Sequence, residues 1–220
     1  MLLASLVLVP FAGSLLAALM PQSARNHESW LAIAVAAYGL VVAGALYPEM
    51  AAGEVLREEF AWLPAKGLAF VLRVDGLAWV FTMLVLAIGL LVVLYARYYM
   101  SPDDPVPRFF SFLLAFMGSM LGVVLSGNLV QLVVFWELTS LTSFLLIGYW
   151  HHRADARRGA RMAFTVTATG GLCLLAGVLV LGHIVGSYDL DAVLAAGDRI
   201  RGDGLYLPAL VLIALGALTK

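Results

Sequence analysis

Long stretches without any charge constrain this chain more than any other feature. Leu2 to Met20 holds none, Trp30 to Tyr47 none, and Gly76 to Ala96 none. From Phe109 to Trp150 there is one charge in 42 residues, enough chain for two spans with a break at Ser126-Gly127-Asn128, a tight-turn sequence. Met162 to about Gly186 makes a sixth span. Runs of about 20 apolar residues suit the hydrocarbon core of a bilayer, where a helix satisfies its own backbone polar groups. A seventh run begins near Leu207 and reaches Lys220, roughly 14 residues or about 21 Å at 1.5 Å each. That is too short to cross. The chain therefore reads as the front piece of a longer protein or a shortened form of one. A signal peptide at the first span fits less well: it lacks a basic leading region, its apolar part is too long, and no A-x-A site follows.

Composition agrees. Of 220 residues, 63% are hydrophobic and 12% charged, about half the charge of a soluble domain. This excludes a cytosolic globular enzyme, a secreted disulfide scaffold and a disordered tail. A net charge of -1 offers no basic patch for nucleic acid. The one cysteine, Cys173, forms no internal disulfide and reads as a small apolar residue within a span.

The expected fold is all-α and polytopic, about six full transmembrane helices plus a truncated seventh. Residues 1–220 form one part-domain. Within it, the loop at 48–75 holds Phe60-Ala61-Trp62-Leu63-Pro64 and Leu68-Ala69-Phe70-Val71-Leu72 around Lys66-Gly67, which predicts a small external β-hairpin between helices two and three. Asp75-Gly76 opens the third span as an N-cap. Loop five carries Arg153, Arg157, Arg158 and Arg161 beside only Asp155. The positive-inside tendency places that loop inside and the N-terminus outside. Tyr149 and Trp150 beside it form an expected interfacial belt.

Two ionisable residues fall inside apolar spans, Glu137 and Lys220. A charge at mid-bilayer costs about 2.5 to 3.5 kcal/mol on insertion scales, so it is rarely idle and usually has a partner. The fifth and seventh spans run in the same direction, which puts both groups near the membrane middle, at similar depth, able to pair. Proton handling and a structural intramembrane ion pair are the two readings. Thr139, Ser140, Thr142 and Ser143 spread around the helix after Glu137, a pattern expected of an enclosed helix with hydroxyls bonding to neighbours. Gly118 and Gly122, and Gly170-Gly171, suit close helix packing, while Thr165, Thr167 and Thr169 read as packing or back-bonding residues. His183 reads as a helix-end histidine. His151 and His152 read as interfacial, with a proton mouth as the alternative. The sequence carries no Gly-rich phosphate loop, hydrolase triad, or haem or metal ligand set, so no cofactor is expected.

The run Phe135-Trp136-Glu137-Leu138-Thr139-Ser140-Leu141-Thr142-Ser143 through Gly148-Tyr149-Trp150 resembles the fifth helix of the antiporter-like subunits shared by complex I and Mrp-type cation/proton antiporters. Arg73-Val74-Asp75-Gly76-Leu77, Tyr95 to Met100, and Ala217-Leu218-Thr219-Lys220 resemble the same superfamily. The Thr-Ser-Leu-Thr-Ser segment and Gly186-Ser187-Tyr188-Asp189-Leu190 are most similar to the A-type component of multisubunit Mrp antiporters. The resemblance implies a multi-pass protein of the bacterial inner membrane and a secondary transporter subunit rather than an enzyme. It implies Na+ (or another monovalent cation) exchanged for protons, with Glu137 and Lys220 as part of a proton relay. Its partners would be the bilayer and the other membrane subunits of an Mrp-type complex. Two alternatives stay open: a proton-pumping membrane-arm subunit of a redox complex, which would be a translocase, and a structural scaffold subunit.

Overall fold

A computed structural model describes residues 1–21, 25–63, 68–101 and 104–220. The expected Lys66-Gly67 turn lies outside the described residues. Among them, six helices are long and apolar enough to span a membrane. They are α1 (Leu2–Leu19), α2 (Arg25–Ala45), α4 (Gly76–Tyr99), α5 (Val106–Val124), α6 (Leu129–Ile147) and α7 (Ala154–Val185). Between α2 and α4 lie a short helix α3 (Tyr47–Ala51) and an antiparallel hairpin of β1 (Leu56–Leu63) and β2 (Leu68–Val74). Two short helices, α8 (Leu190–Ala195) and α9 (Gly197–Gly202), lead into the shorter apolar helix α10 (Tyr206–Leu218).

Local chemistry sets these boundaries. Asp75 caps α4 by accepting from the Ala78 amide, as its sequence position predicts. Asn128 ends the turn after α5 and accepts from the Val130 and Gln131 amides at the start of α6. Gly186, in the left-handed region at φ 79°, closes α7. At 32 residues α7 is about 48 Å long, well beyond an about 30 Å hydrocarbon core, which leaves its arginine-bearing first turns room outside that core.

Small residues draw the helices together. A Cβ on Gly118 would press on the Phe11 ring of α1, and one on Gly122 would strike the Phe135 ring of α6. The G-x-x-x-G of α5 therefore packs inside the bundle, with one glycine toward each neighbour. The buried core of Leu6, Leu86, Leu121 and Leu125 continues into the hairpin through Leu72 and Val74.

The hairpin is longer than its sequence suggests, beginning at Leu56 and ending at Val74. Arg57, Glu58 and Glu59 hide β1 because acidic residues are poor strand formers. Arg57 and Glu59 fall on the face opposite Leu56 and Phe60, while Glu58 shares their face and is satisfied by the Leu3 and Ala4 amides at 3.2 Å. On β2, Val71, Leu72 and Val74 are all buried, since both faces of that strand are covered. The Ser126-Gly127-Asn128 turn lies along it: Arg73 N donates to Leu125 O and Gly127 N to Val71 O, both at 2.8 Å. On its other side Leu190 N donates to Gly127 O at 2.9 Å, and Leu129 N to Tyr188 O at 2.8 Å. Gln131 adds a buried acceptor, its Oε1 taking the Val71 amide at 2.7 Å.

Charged side chains tie the same region together. Arg57 pairs with Asp189 and with Asp191 (3.1 Å), and Arg73 pairs with Asp191 (2.7 Å) and Asp75 (2.5 Å). The hairpin, the α5–α6 turn and the α7–α8 connection thus form one clamp at one end of the bundle. Tyr149, expected at the interface, is instead buried against Phe109, while Trp150 stays partly exposed and donates to Asp104.

Candidate functional site

Glu137 lies midway along α6, half-buried, with Oε1 enclosed and without a hydrogen-bond partner among the described residues. It lines an apolar groove of about 490 Å³ between α6 and α7, bounded by Val133, Leu141, Phe164 and Leu175. Gly171 of α7 faces it so closely that a Cβ there would occupy the position of Oε1. The adjacent Gly170 faces the other way, toward Thr219 beyond α10. This glycine pair therefore lets α7 fit between a carboxylate helix and a lysine-bearing one.

Packing of α7 on α10 is a seam of small residues. Gly177 meets Ile213, and Gly216 meets Leu174 and the Gly170 carbonyl. Without Cβ atoms the two backbones approach closely. Past the end of that seam, the Lys220 ammonium reaches α6. It donates to the Ser140 hydroxyl at 2.6 Å and to the Trp136 carbonyl at 3.1 Å, with its charge 5.3 Å from the Trp136 ring. The two predicted site residues are brought together, close enough to interact electrostatically. Lys220 forms no direct ion pair with Glu137; its contacts fall on the residue before Glu137 and on the residue three after it.

The hydroxyl-rich turn behaves differently from expectation. Thr139 and Ser140 donate to Trp136 O, and Thr142 to Leu138 O, each within α6. Hydroxyls in a helix reach the i−3 or i−4 carbonyl without any neighbour, and here that local bond wins. Of these hydroxyls, the one on Ser140 also accepts from Lys220 beyond α10. Thr165, Thr167 and Thr169 back-bond within α7, as expected.

Sequence reasoning misses Trp136 and Gly171 at the site and, elsewhere in the bundle, the buried Glu28. Ser140, one of the hydroxyls expected to bond to a neighbour, does so through Lys220, whereas Trp136 carries no signal that sets it apart from packing residues. Gly171 reads as a packing residue alone. Glu28 falls in the first loop when the second span is counted from its first charge-free residue. The helix starts earlier, and Glu28 is fully buried with both carboxylate oxygens unpartnered among the described residues. An amphipathic reading of residues 25–32, instead of a charge-free window, finds it. His183, His151 and His152 lie away from Glu137; His151 Nδ1 is 3.3 Å from Arg108.

Residues 126–220 match the family described as NADH:quinone oxidoreductase/Mrp antiporter, TM, and residues 62–110 match NADH-ubiquinone oxidoreductase (complex I), chain 5 N-terminus. Over 100% of its length the chain is 61% identical to a probable K+/H+ antiporter component, of type A/B, from Rhizobium meliloti (strain 1021). Over 97% it is 38% identical to the A-type component of the Na+/H+ antiporter of Alkalihalophilus pseudofirmus. It covers 22% and 26% of those two proteins, about a quarter of their length. Among solved structures, the Mrp complex of Dietzia sp. DQ12-45-1b contains a chain superposing on all of this one with a TM-score of 0.85 and 30% identity, 24% of that chain being covered.

Proposed function

Because the chain belongs to the Mrp-type antiporter subunits, we propose that it forms part of a membrane subunit of a multisubunit antiporter that exchanges K+ or Na+ for protons. The cation, expected as Na+ or another monovalent ion, is given as K+ or Na+ because the 61% identical relative bears a K+/H+ name and the 38% identical one a Na+/H+ name. Both names favour antiport over redox-driven pumping. The partners in this reading are the other membrane subunits of the complex.

One observation carries the mechanism: the Lys220 ammonium lodges against α6 within electrostatic reach of the Glu137 carboxyl, whose Oε1 has no hydrogen-bond partner among the described residues. In our reading Lys220 and Glu137 form a proton relay. The Trp136 carbonyl and Ser140 hydroxyl hold the charged amine to one side of the carboxylate. A small displacement of α10 along its glycine seam alters the separation of the two charges, and with it the affinity of each for a proton.

The test uses the assembled complex in proteoliposomes. Glu137→Ala and Lys220→Ala should each lower cation-driven proton flux roughly a hundredfold, the scale of a lost acid–base group. Normal flux with normal assembly in either variant would sink the relay and leave the structural reading. Replacing Na+ by K+ in the same assay decides the cation.

We also propose that the clamp end of the bundle, including the N-terminus, faces outside. In a Cys173→Ala background, a cysteine at Glu54 should react with an impermeant maleimide added to whole cells, and one at Arg158 should not. The reverse pattern would invert the topology.

A further inference from the structure

At the opposite end of the bundle from the hairpin, α5, α6 and α7 line an open cavity of about 350 Å³. Its wall is apolar, with Phe112 and Phe144 among the lining residues, and its rim is basic, with Arg108, His151, Arg157 and Arg161. Among the described residues, no ion pair consumes the charge of the rim arginines. Arg157 is held by the His151 and His152 carbonyls, and Arg108 contacts the His151 ring. Among the described residues neither Arg108 nor Arg161 has a carboxylate partner. Arg153, just outside the cavity, does pair with Asp155 at 2.9 Å.

An apolar wall beneath a rim of arginines that make no ion pair among the described residues matches one ligand chemistry, an acyl chain joined to a phosphate. The site also suits the depth where those meet: Arg157 and Arg161 stand in the first turns of α7, which have room outside the hydrocarbon core, while Phe144 belongs to the last turn of α6. We propose that this cavity binds an anionic glycerophospholipid, with its phosphate between Arg108 and Arg161 and an acyl chain against Phe112 and Phe144. A free phosphate would meet the rim but leave the apolar wall unfilled. A zwitterionic lipid would bring a cationic group to a cationic rim.

Photocrosslinking of the complete subunit in its assembled complex tests this. The probe is phosphatidylglycerol carrying a diazirine on one acyl chain, with the phosphatidylcholine analogue as comparison and labelled peptides mapped by mass spectrometry. Phosphatidylglycerol should label the segments containing Phe112 and Phe144, and phosphatidylcholine should label them several-fold less. A surface arginine contributes about fivefold to binding an anionic lipid. Labelling should therefore fall about fivefold in Arg108→Gln or Arg161→Gln, about twentyfold in the double variant, and little in Arg158→Gln, which does not line the cavity. Equal labelling by the two lipids, or none in the wild-type complex, overturns the proposal without reference to any variant. So does an unchanged yield in the double variant, an equal loss in Arg158→Gln, or displacement of the probe by millimolar inorganic phosphate.

Discussion

The Ser140 hydroxyl accepts a 2.6 Å hydrogen bond from Lys220, and this bond joins α6 to the end of α10 across the gap filled by α7. It holds the lysine near Glu137 without letting the two charges neutralise each other by contact. A fully closed ion pair would be a poor relay, because each partner would stabilise the charged state of the other. A pair held slightly apart responds to small movements.

Ser140→Ala removes an acceptor from a charged donor, an interaction worth about 1.5 to 3 kcal/mol. Flux in the assembled complex should fall roughly tenfold or more, with assembly intact because the remaining α6 contacts are unchanged. Ser140→Thr keeps the hydroxyl and should restore most of it. Equal flux in Ser140→Ala would show that the Trp136 carbonyl alone positions the amine.

Gly171→Ala tests the other side of the site. The added methyl would take the place of the Glu137 Oε1 atom, so the carboxylate must turn or α7 must move. Overpacking of this kind costs about 1 to 3 kcal/mol, and here the strain falls on the proposed relay. Flux should drop with only a modest loss of thermal stability. Gly159→Ala, with open space around its Cβ, should leave flux unaltered and raise helix stability by about 0.5 to 1 kcal/mol.

Those two predictions mark what the sequence can and cannot reveal. Glu137 and Lys220 stand out because the bilayer makes any charge in an apolar run expensive, and the same cost makes all six spans legible. Of the groups that hold Lys220, Ser140 is legible only as one of several hydroxyls expected to reach a neighbour, and Trp136 does not stand out. Whether a serine faces a lysine eighty residues away depends on how α7 and α10 are rotated about their axes, and the glycine seam sets that rotation. Glu28 escapes because a charge-free window stops at the first acid even when the helix continues. The Arg57–Asp189 and Arg73–Asp191 pairs escape for a different reason. They link segments more than a hundred residues apart, and surface charge gives no hint of its partner.

Gln131 is the buried residue on which the hairpin hangs. Its carbonyl oxygen takes the Val71 amide at 2.7 Å, with the side chain almost completely enclosed. Gln131→Leu keeps the bulk but strands a buried backbone N–H, at a cost of about 1 to 3 kcal/mol. Amide exchange in residues 70–74 should accelerate while the helical core stays protected. Unchanged exchange there would mean that the Arg73–Leu125 and Gly127–Val71 backbone bonds carry the hairpin by themselves.

The clamp should also respond to acid. Burial pushes the Asp189 carboxyl up, but hydrogen bonds from Arg57 and from the α8 amides outweigh it and leave the group below the ordinary aspartate range. Asp75 is likewise lowered: burial opposes, and the Ala78 amide and Arg73 prevail. A carboxylate depressed in the folded state contributes stability that is fully present above its unfolded value of about 3.9 and is lost as pH falls through its folded value. Protection factors against hydrogen exchange in residues 71–73, 127–129 and 188–191 should therefore hold from pH 7 down to about pH 4 and fall below it. Asp189→Asn removes the titrating group; its protection should begin lower, by about fivefold for a partly exposed pair, and change less with acid. Protection that already declines between pH 7 and pH 5 would point to a histidine as the controlling group and would sink the assignment to Asp189.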